Sequence, residues 1–252
     1  MWRPGVALVA ALALAACGGT APRKAPEAPQ QRSPVQLIAA DGVRVYGDYL
    51  KPQGAKALIV LLHQAGSGQG EYATIAPRLA ARGFATLAID QRAGGDMFGG
   101  NFTVKSLGRE GSYLDARKDI DAALEWAKSE HLPVILWGSS YSASLALLVA
   151  ADNPRDVTAV LAFSPAEYFD GNPSVRDAAA KVKVPVFVTS SADAKEVASA
   201  KALVEAVPGQ AKRQFVPVKG AHGSSILIAE RDPEGAEAAW DAVFDFLLGL
   251  QR

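Results

Sequence analysis

Val134-Ile135-Leu136-Trp137-Gly138-Ser139-Ser140-Tyr141-Ser142-Ala143 is the stretch whose reading decides the fold. Its first four residues form an apolar run of strand length, and Ala143 to Ala151 continues as an apolar helical run. Gly138 to Ser142 must therefore turn the chain from strand to helix within a few residues. A serine at such a junction has two readings. It can cap the following helix, as serines often do. Alternatively, the turn holds it under strain with its Oγ aimed into a cleft. Strand and helix then approach closely, so the residues two before and two after must be small, as Gly138 and Ser142 are.

Outward from this junction, strands alternate with helices. Ala57-Leu62 and Phe84-Ile89 are continuous apolar runs, as expected of strands covered on both faces. Val35-Ala39 and Val43-Tyr49 flank Asp41-Gly42, which predicts an antiparallel hairpin at a sheet edge. Tyr72-Arg82 reads as a helix stopped by Gly83. Leu114-Lys128 reads as an amphipathic helix with Ala116, Ile120, Ala123, Leu124 and Ala127 on one stripe. Beyond the junction come strand Ala159-Phe163, strand Val184-Thr189, helix Lys195-Val207 and strand Arg213-Val218. Helix Glu234-Leu250 closes the pattern, with Asp232 as cap and Pro233 in the first position. The order predicts an α/β fold: a mostly parallel sheet of about eight strands with helices on both faces. Gln91 to Ser112 is glycine-rich and is expected to overhang the cleft. The segment between Ser164 and Val184 is too short for a large lid.

Serine at its ordinary pKa is a weak nucleophile and needs a base, which in turn needs an orienting carboxylate. The chain has three histidines. His222 lies in Lys219-Gly220-Ala221-His222-Gly223, directly after the last apolar strand. His131 falls at the opposite end of the sheet and reads as a solvent-facing helix terminus. The loop after Val184-Thr189 offers Asp193, in Ser190-Ser191-Ala192-Asp193, with Glu196 three residues on.

A Gly-x-Ser-x-small turn between strand and helix, followed in order by a carboxylate and a histidine, resembles the α/β-hydrolase superfamily. The likeness extends from Val35 to the end of the chain and is greatest to small serine hydrolases of the dienelactone hydrolase-like group. That group commonly has cysteine where Ser140 stands, and glycine is usual at Ser142. The resemblance implies Ser140 as nucleophile, His222 as base and Asp193 as the orienting acid. Glu196 is the alternative acid, set back because it already falls within the following helical pattern. It also implies oxyanion donors on two segments. One is the N–H of Tyr141. The other comes from His63-Gln64-Ala65-Gly66-Ser67-Gly68, which resembles a His-Gly-x motif with Gln64 replacing glycine. Ala65 is the expected donor there, Gln64 the runner-up, and His63 braces the loop.

The 252 residues carry no formal net charge and are 49% hydrophobic, which suits one domain with a sizeable core. The neutral balance and lack of Lys/Arg clusters argue against a nucleic-acid partner. No Walker pattern, no Gly-x-Gly-x-x-Gly and no metal-ligand spacing occurs, so no cofactor or metal is expected. The N-terminus reads as a secretory signal: Arg3, then apolar Val6 to Ala13, then Leu14-Ala15-Ala16-Cys17. That box resembles the lipobox of bacterial lipoproteins, which implies lipidation at Cys17, the sole cysteine. Residues 1–17 are thus expected as signal and lipobox, 18–34 as a proline-rich tether and 35–252 as the catalytic domain. Lipidation would hold the domain on a membrane of the bacterial cell envelope. Gly18 in place of aspartate favours the outer membrane in a diderm organism.

Taken together, these features predict a serine hydrolase of small or medium acyl substrates: carboxylic esters, thioesters or lactones. A peptidase or amidase would use the same residues. A non-catalytic binding protein on the same fold is the reading from another class.

Overall fold

The computed structural model describes residues 1–2 and 30–250. Cys17 and most of the expected tether lie outside the described residues. Eight strands form one sheet in the order β1-β2-β4-β3-β5-β6-β7-β8. They are β1 (Gln30–Ile38), β2 (Arg44–Pro52), β3 (Ala57–Leu62), β4 (Phe84–Asp90), β5 (Val134–Ser139), β6 (Ala159–Phe163), β7 (Val186–Thr189) and β8 (Lys212–Phe215). β1 pairs antiparallel with β2, and β2 antiparallel with β4; every pairing from β4 through β3 to β8 is parallel. The α/β-hydrolase fold predicted above is therefore present, including the edge hairpin.

β3 to β7 are buried along their whole length, because helices cover both faces. Side chains alternate between two cores. Leu58, Val60, Leu62, Leu136, Val160 and Val188 point to one face. There they meet α3 (Arg117–Lys128), α4 (Tyr141–Asp152), α5 (Val175–Ala179) and α6 (Ala194–Ala206). Ile59, Leu61, Trp137, Leu161 and Phe187 point to the other, against α1 (Ile75–Ala80) and α7 (Ala236–Gly249). On this side Trp137 and Phe163 stack at 4.5 Å directly beneath the strand–helix junction. α4 is apolar nearly all round and ten of its residues are buried, as befits a helix packed on every side.

Several boundaries move. Strand pairing begins at Gln30, so the last residues of the expected tether, through Pro34, lie in β1. Proline is tolerated there because β1 is an edge strand. α3 starts at Arg117 rather than Leu114, and Leu114 is exposed. Asp232 caps a turn ahead of α7 rather than the helix itself: its Oδ1 accepts from Gly235 N at 3.2 Å, and the helix begins at Ala236. The segment from Gln91 contains α2 (Phe102–Leu107), capped by Asn101 Oδ1 on Val104 N at 2.8 Å. It packs on the loop after β3, through Gly95 N to Ser67 O at 2.8 Å and Met97 N to Gly66 O at 3.0 Å. Among the described residues no helix is long and apolar enough to cross a membrane.

Candidate active site

Ser140 sits between β5 and α4 with φ 60° and ψ −126°, a left-handed conformation that a serine adopts only under strain. Two neighbours explain why this backbone persists. Its N–H donates to Phe163 O at the end of β6, at 2.8 Å. At Gly138 a Cβ would collide with the Ser142 carbonyl and the Ala143 backbone, so only glycine lets α4 approach β5 this closely. Ser142 is small but also active in bonding: its Oγ lies 2.6 Å from His63 O, to which it donates, and 2.9 Å from Gln91 Oε1. The serine turn and the loop after β3 are tied together through this hydroxyl.

That loop is organised by buried polar groups. His63 is fully buried. Its Nδ1 lies 2.8 Å from Gln64 O and its Nε2 accepts from Gln91 N at 2.8 Å, so Nδ1 carries the proton and donates to Gln64 O. Burial lowers its pKa to about 4, only partly offset by these backbone contacts, and the ring is neutral. The histidine braces the loop, as the resemblance implied. Gln64 N–H is already engaged, donating to Glu71 Oε2 at 2.9 Å. Ser67 Oγ donates to the same oxygen at 3.1 Å. Glu71 is buried, and that burial raises its pKa against the bonds from Gln64, Ser139 and Ser67. Ala65 N–H has no hydrogen-bond partner among the described residues. Tyr141, as the first residue of α4, has an N–H with no carbonyl four residues back in the helix. Ala65 N–H, on the loop after β3, and Tyr141 N–H, directly after Ser140, are thus both left without an acceptor among the described residues.

His222 arrives on the loop before a 3-10 turn, Gly223–Leu227. The loop docks against the serine turn: Ser224 N donates to Ser139 Oγ at 2.9 Å, and Trp137 Nε1 donates to Ser224 Oγ at 3.0 Å. Gly223 has φ 62° and packs onto Ser139 Oγ, which a Cβ would strike.

The acid paired with this histidine is not the expected one. His222 Nδ1 lies 2.8 Å from Glu196 Oε1. Asp193 is the N-cap of α6, its Oδ1 accepting from Lys195 N at 2.9 Å and Glu196 N at 3.2 Å. The reason is positional. Two orphan amides of the first helical turn capture the Asp193 carboxylate, whereas Glu196, one turn in, reaches across to the histidine. Glu196 Oε2 also accepts from Ser164 Oγ at 2.8 Å and Ser191 N at 3.1 Å. Burial works to raise the Glu196 pKa, but the bonds from His222 and Ser164 outweigh it and hold it at about 2. The carboxylate is ionised at neutral pH.

The structure thus brings Ser140, Tyr141, Ala65 and His222 together at the carboxyl end of the sheet, with Glu196 in the position expected of Asp193. Ser140 Oγ makes no hydrogen bond to His222; it donates instead to Tyr168 Oη at 3.3 Å. Tyr168 and Ser164 were not legible as site residues. Ser164 follows β6 at φ 55°, and no sequence signal marks a serine for that conformation. His131 lies at the other end of the sheet, after α3. Among the described residues no group of His, Cys, Asp and Glu is arranged to hold a metal. A cavity of about 680 Å³ lies between Tyr46, Ala88, Phe98 and Phe102, and Ser140 is not among its lining residues.

Comparison with known proteins agrees with the fold. A family model described as serine aminopeptidase, S33, matches residues 53–207. A monoglyceride lipase homolog of monkeypox virus is 30% identical over 149 residues, covering 58% of this chain and 52% of that protein. Human monoglyceride lipase is 29% identical over 147 residues, covering 58% and 47%. The chain thus spans about half the length of the curated relatives it matches. Among solved structures, a dienelactone hydrolase from Anabaena variabilis superposes with a TM-score of 0.69 at 20% identity, covering 87% of this chain and 98% of the other. An esterase from Pyrococcus furiosus gives 0.63 at 18% identity, covering 86% and 89%.

Proposed function

The chain belongs to the serine aminopeptidase S33 family, and from that premise we propose that it is a serine hydrolase cleaving carboxylic esters, thioesters or lactones of small or medium acyl groups. The observation that carries this reading is the 2.8 Å His222–Glu196 pair docked beside a serine held at φ 60°. Ser140 Oγ attacks the acyl carbon while its proton passes to His222 Nε2. Glu196 fixes the ring with the proton on Nδ1 and stabilises the imidazolium that forms. The negative oxygen of the tetrahedral intermediate lies between Tyr141 N–H and Ala65 N–H, donors worth about 3–4 kcal/mol each in such sites. His222 returns the proton to the leaving alcohol or thiol. Water, deprotonated by the same histidine, then releases the acyl group and regenerates the serine.

Ester substrates are favoured by the names of the curated relatives, which are a monoglyceride lipase homolog and monoglyceride lipases. A peptidase or amidase is the second reading, favoured by the family's description as an aminopeptidase. Labelling with a fluorophosphonate, with Ser140→Ala beside the parent, tests the catalytic reading. Parent labelled and variant unlabelled is the expected result; an unlabelled, folded parent favours a binding protein on the hydrolase fold. Turnover of matched p-nitrophenyl esters and anilides separates the two enzymes. The small-molecule acyl substrate would be met at the cell envelope, where lipidated Cys17 anchors the domain, on the outer membrane in a diderm organism.

A further inference from the structure

The hydroxyl of Ser140 bonds a phenol and makes no hydrogen bond to its base. Its Oγ donates to Tyr168 Oη at 3.3 Å, and Tyr168 Oη donates to Ser164 O at 3.1 Å. A phenol has one proton. With that proton spent on the Ser164 carbonyl, Tyr168 can only accept from Ser140. The single proton of Ser140 is therefore directed at the phenol and is not shared with His222.

Ser164 is a firm anchor for this arrangement. Its N–H donates to Thr189 O at 2.7 Å, its Oγ donates to Glu196 Oε2 at 2.8 Å, and the same Oγ accepts from Gly223 N at 3.0 Å. The residue is buried and held at φ 55° by these bonds. The nucleophile, the acid and the histidine loop thus converge on one serine, with Tyr168 as the link to Ser140. Burial raises the Tyr168 pKa, the bond from Ser140 acts against it, and the nearby Glu196 charge adds to the rise. The phenol remains protonated at any working pH.

Resting on the triad proposed above, we infer that Tyr168 is a gating residue: it holds Ser140 in an unreactive rotamer in the free protein until an entering acyl group displaces the contact. The switch is a rotation about one side-chain bond, in which Oγ–H exchanges Tyr168 Oη for His222 Nε2. Rotamer exchange of this kind is far faster than turnover. The effect of the gate is a population effect. Only the fraction of free protein with Oγ turned to His222 reacts on encounter, so apparent affinity falls by that fraction. A bound acyl group occupies the space beside Oγ and removes the latched state, so saturated turnover is little affected.

The test is Tyr168→Phe in the full chain, which keeps the ring and deletes the hydroxyl. The readouts are the second-order rate of labelling by a small fluorophosphonate, and kcat and KM on p-nitrophenyl acetate. The expected result is a two- to tenfold rise in labelling rate and in kcat/KM, the effect of one net hydrogen bond. The rise appears chiefly as a lower KM, with kcat within about twofold of the parent. Labelling of a folded Tyr168→Phe at the parental rate or slower overturns the gate and leaves the serine hydrolase standing. A parent that is not labelled overturns the hydrolase reading, and the gate with it. If the variant does not fold, a crystal structure of the free parent decides: Ser140 Oγ on Tyr168 supports the gate, and Ser140 Oγ hydrogen-bonded to His222 Nε2 overturns it.

Discussion

Replacing Glu196 by glutamine has an outcome that its surroundings dictate. Ser191 N–H points at Glu196 Oε2 from 3.1 Å, and Ser164 Oγ approaches the same oxygen at 2.8 Å. A backbone N–H cannot accept, so in Glu196→Gln the amide oxygen must take that position. The amide NH2 then faces His222 Nδ1, which has to accept, and the ring proton moves to Nε2. An imidazole protonated at Nε2 cannot take the proton of Ser140. A carboxylate-to-amide change with this consequence lowers kcat about 10⁴-fold, or about 5.4 kcal/mol of barrier. Asp193→Asn is the matched control. Its side chain accepts from Lys195 N and Glu196 N, which an amide oxygen does equally well. It loses only a charge at the start of α6, about 0.3–1 kcal/mol of stability. The assay is kcat and KM on p-nitrophenyl butyrate, with a thermal melt of each variant. Retention of more than about a tenth of parental kcat by a folded Glu196→Gln would refute the tautomer argument. A loss of about 10³-fold in Asp193→Asn would return the acid to the residue the sequence favoured.

The same pair carries a pH signature. Glu196 is held at about 2, below the ordinary value of about 4.3, so it stabilises the fold above that ordinary value and ceases to as pH falls through about 2. The stability difference between parent and Glu196→Gln, from urea titrations, should therefore shrink between pH 5 and pH 2; a constant difference contradicts the depressed pKa. Ser140→Ala should lower ester turnover by several orders of magnitude with an unchanged melt, and full activity would end the proposed mechanism. Gly138→Ala should cost about 1–3 kcal/mol, since the added methyl meets backbone that has nowhere to go; an unchanged midpoint in urea would show that α4 can retreat from β5. Cys17→Ser should shift the protein from the membrane to the soluble fraction of its native host, and unchanged fractionation removes the lipid anchor.

The sheet was legible in the sequence because its central strands are apolar on both faces and its helices are stopped by residues with clear chemistry, such as Gly83 at φ 86°. Legibility failed where local composition and tertiary context disagree. Pro34 belongs to a proline-rich run, yet it pairs opposite Asp48 in an edge strand that the sheet organises from outside. Leu114 opens the stretch read as a helix, but α3 begins three residues later, after a turn in which Asp115 N bonds Ser112 Oγ. In the site, the strand–turn–helix around Ser140 could be read because steric demand restricts Gly138 and Ser142 locally. The preference for Ala65 over Gln64 as donor depends on Glu71, a buried carboxylate beyond the loop whose bond to Gln64 N has no local signature.

The choice between Asp193 and Glu196 shows why a triad acid is the least legible member of such a site. Asp193-x-x-Glu196 at a helix start is the spacing of a capping box, in which the first side chain bonds the N–H three residues on and the second reaches back to the first residue's N–H. Half of that box forms here: Asp193 Oδ1 accepts from Glu196 N. The other half does not, because Ser191 Oγ already serves Asp193 N at 3.3 Å. Glu196 is thereby released from its capping duty, with its backbone fixed by the helix and its side chain free to turn toward the sheet edge. There Ser164, Ser191 and His222 converge on its two oxygens. Asp193 is one methylene shorter, sits ahead of the helix, and has two amides within reach that cost it nothing to satisfy. In the sequence the helical pattern sets Glu196 behind Asp193; the structure ranks the two carboxylates by which one the helix N-terminus leaves unoccupied.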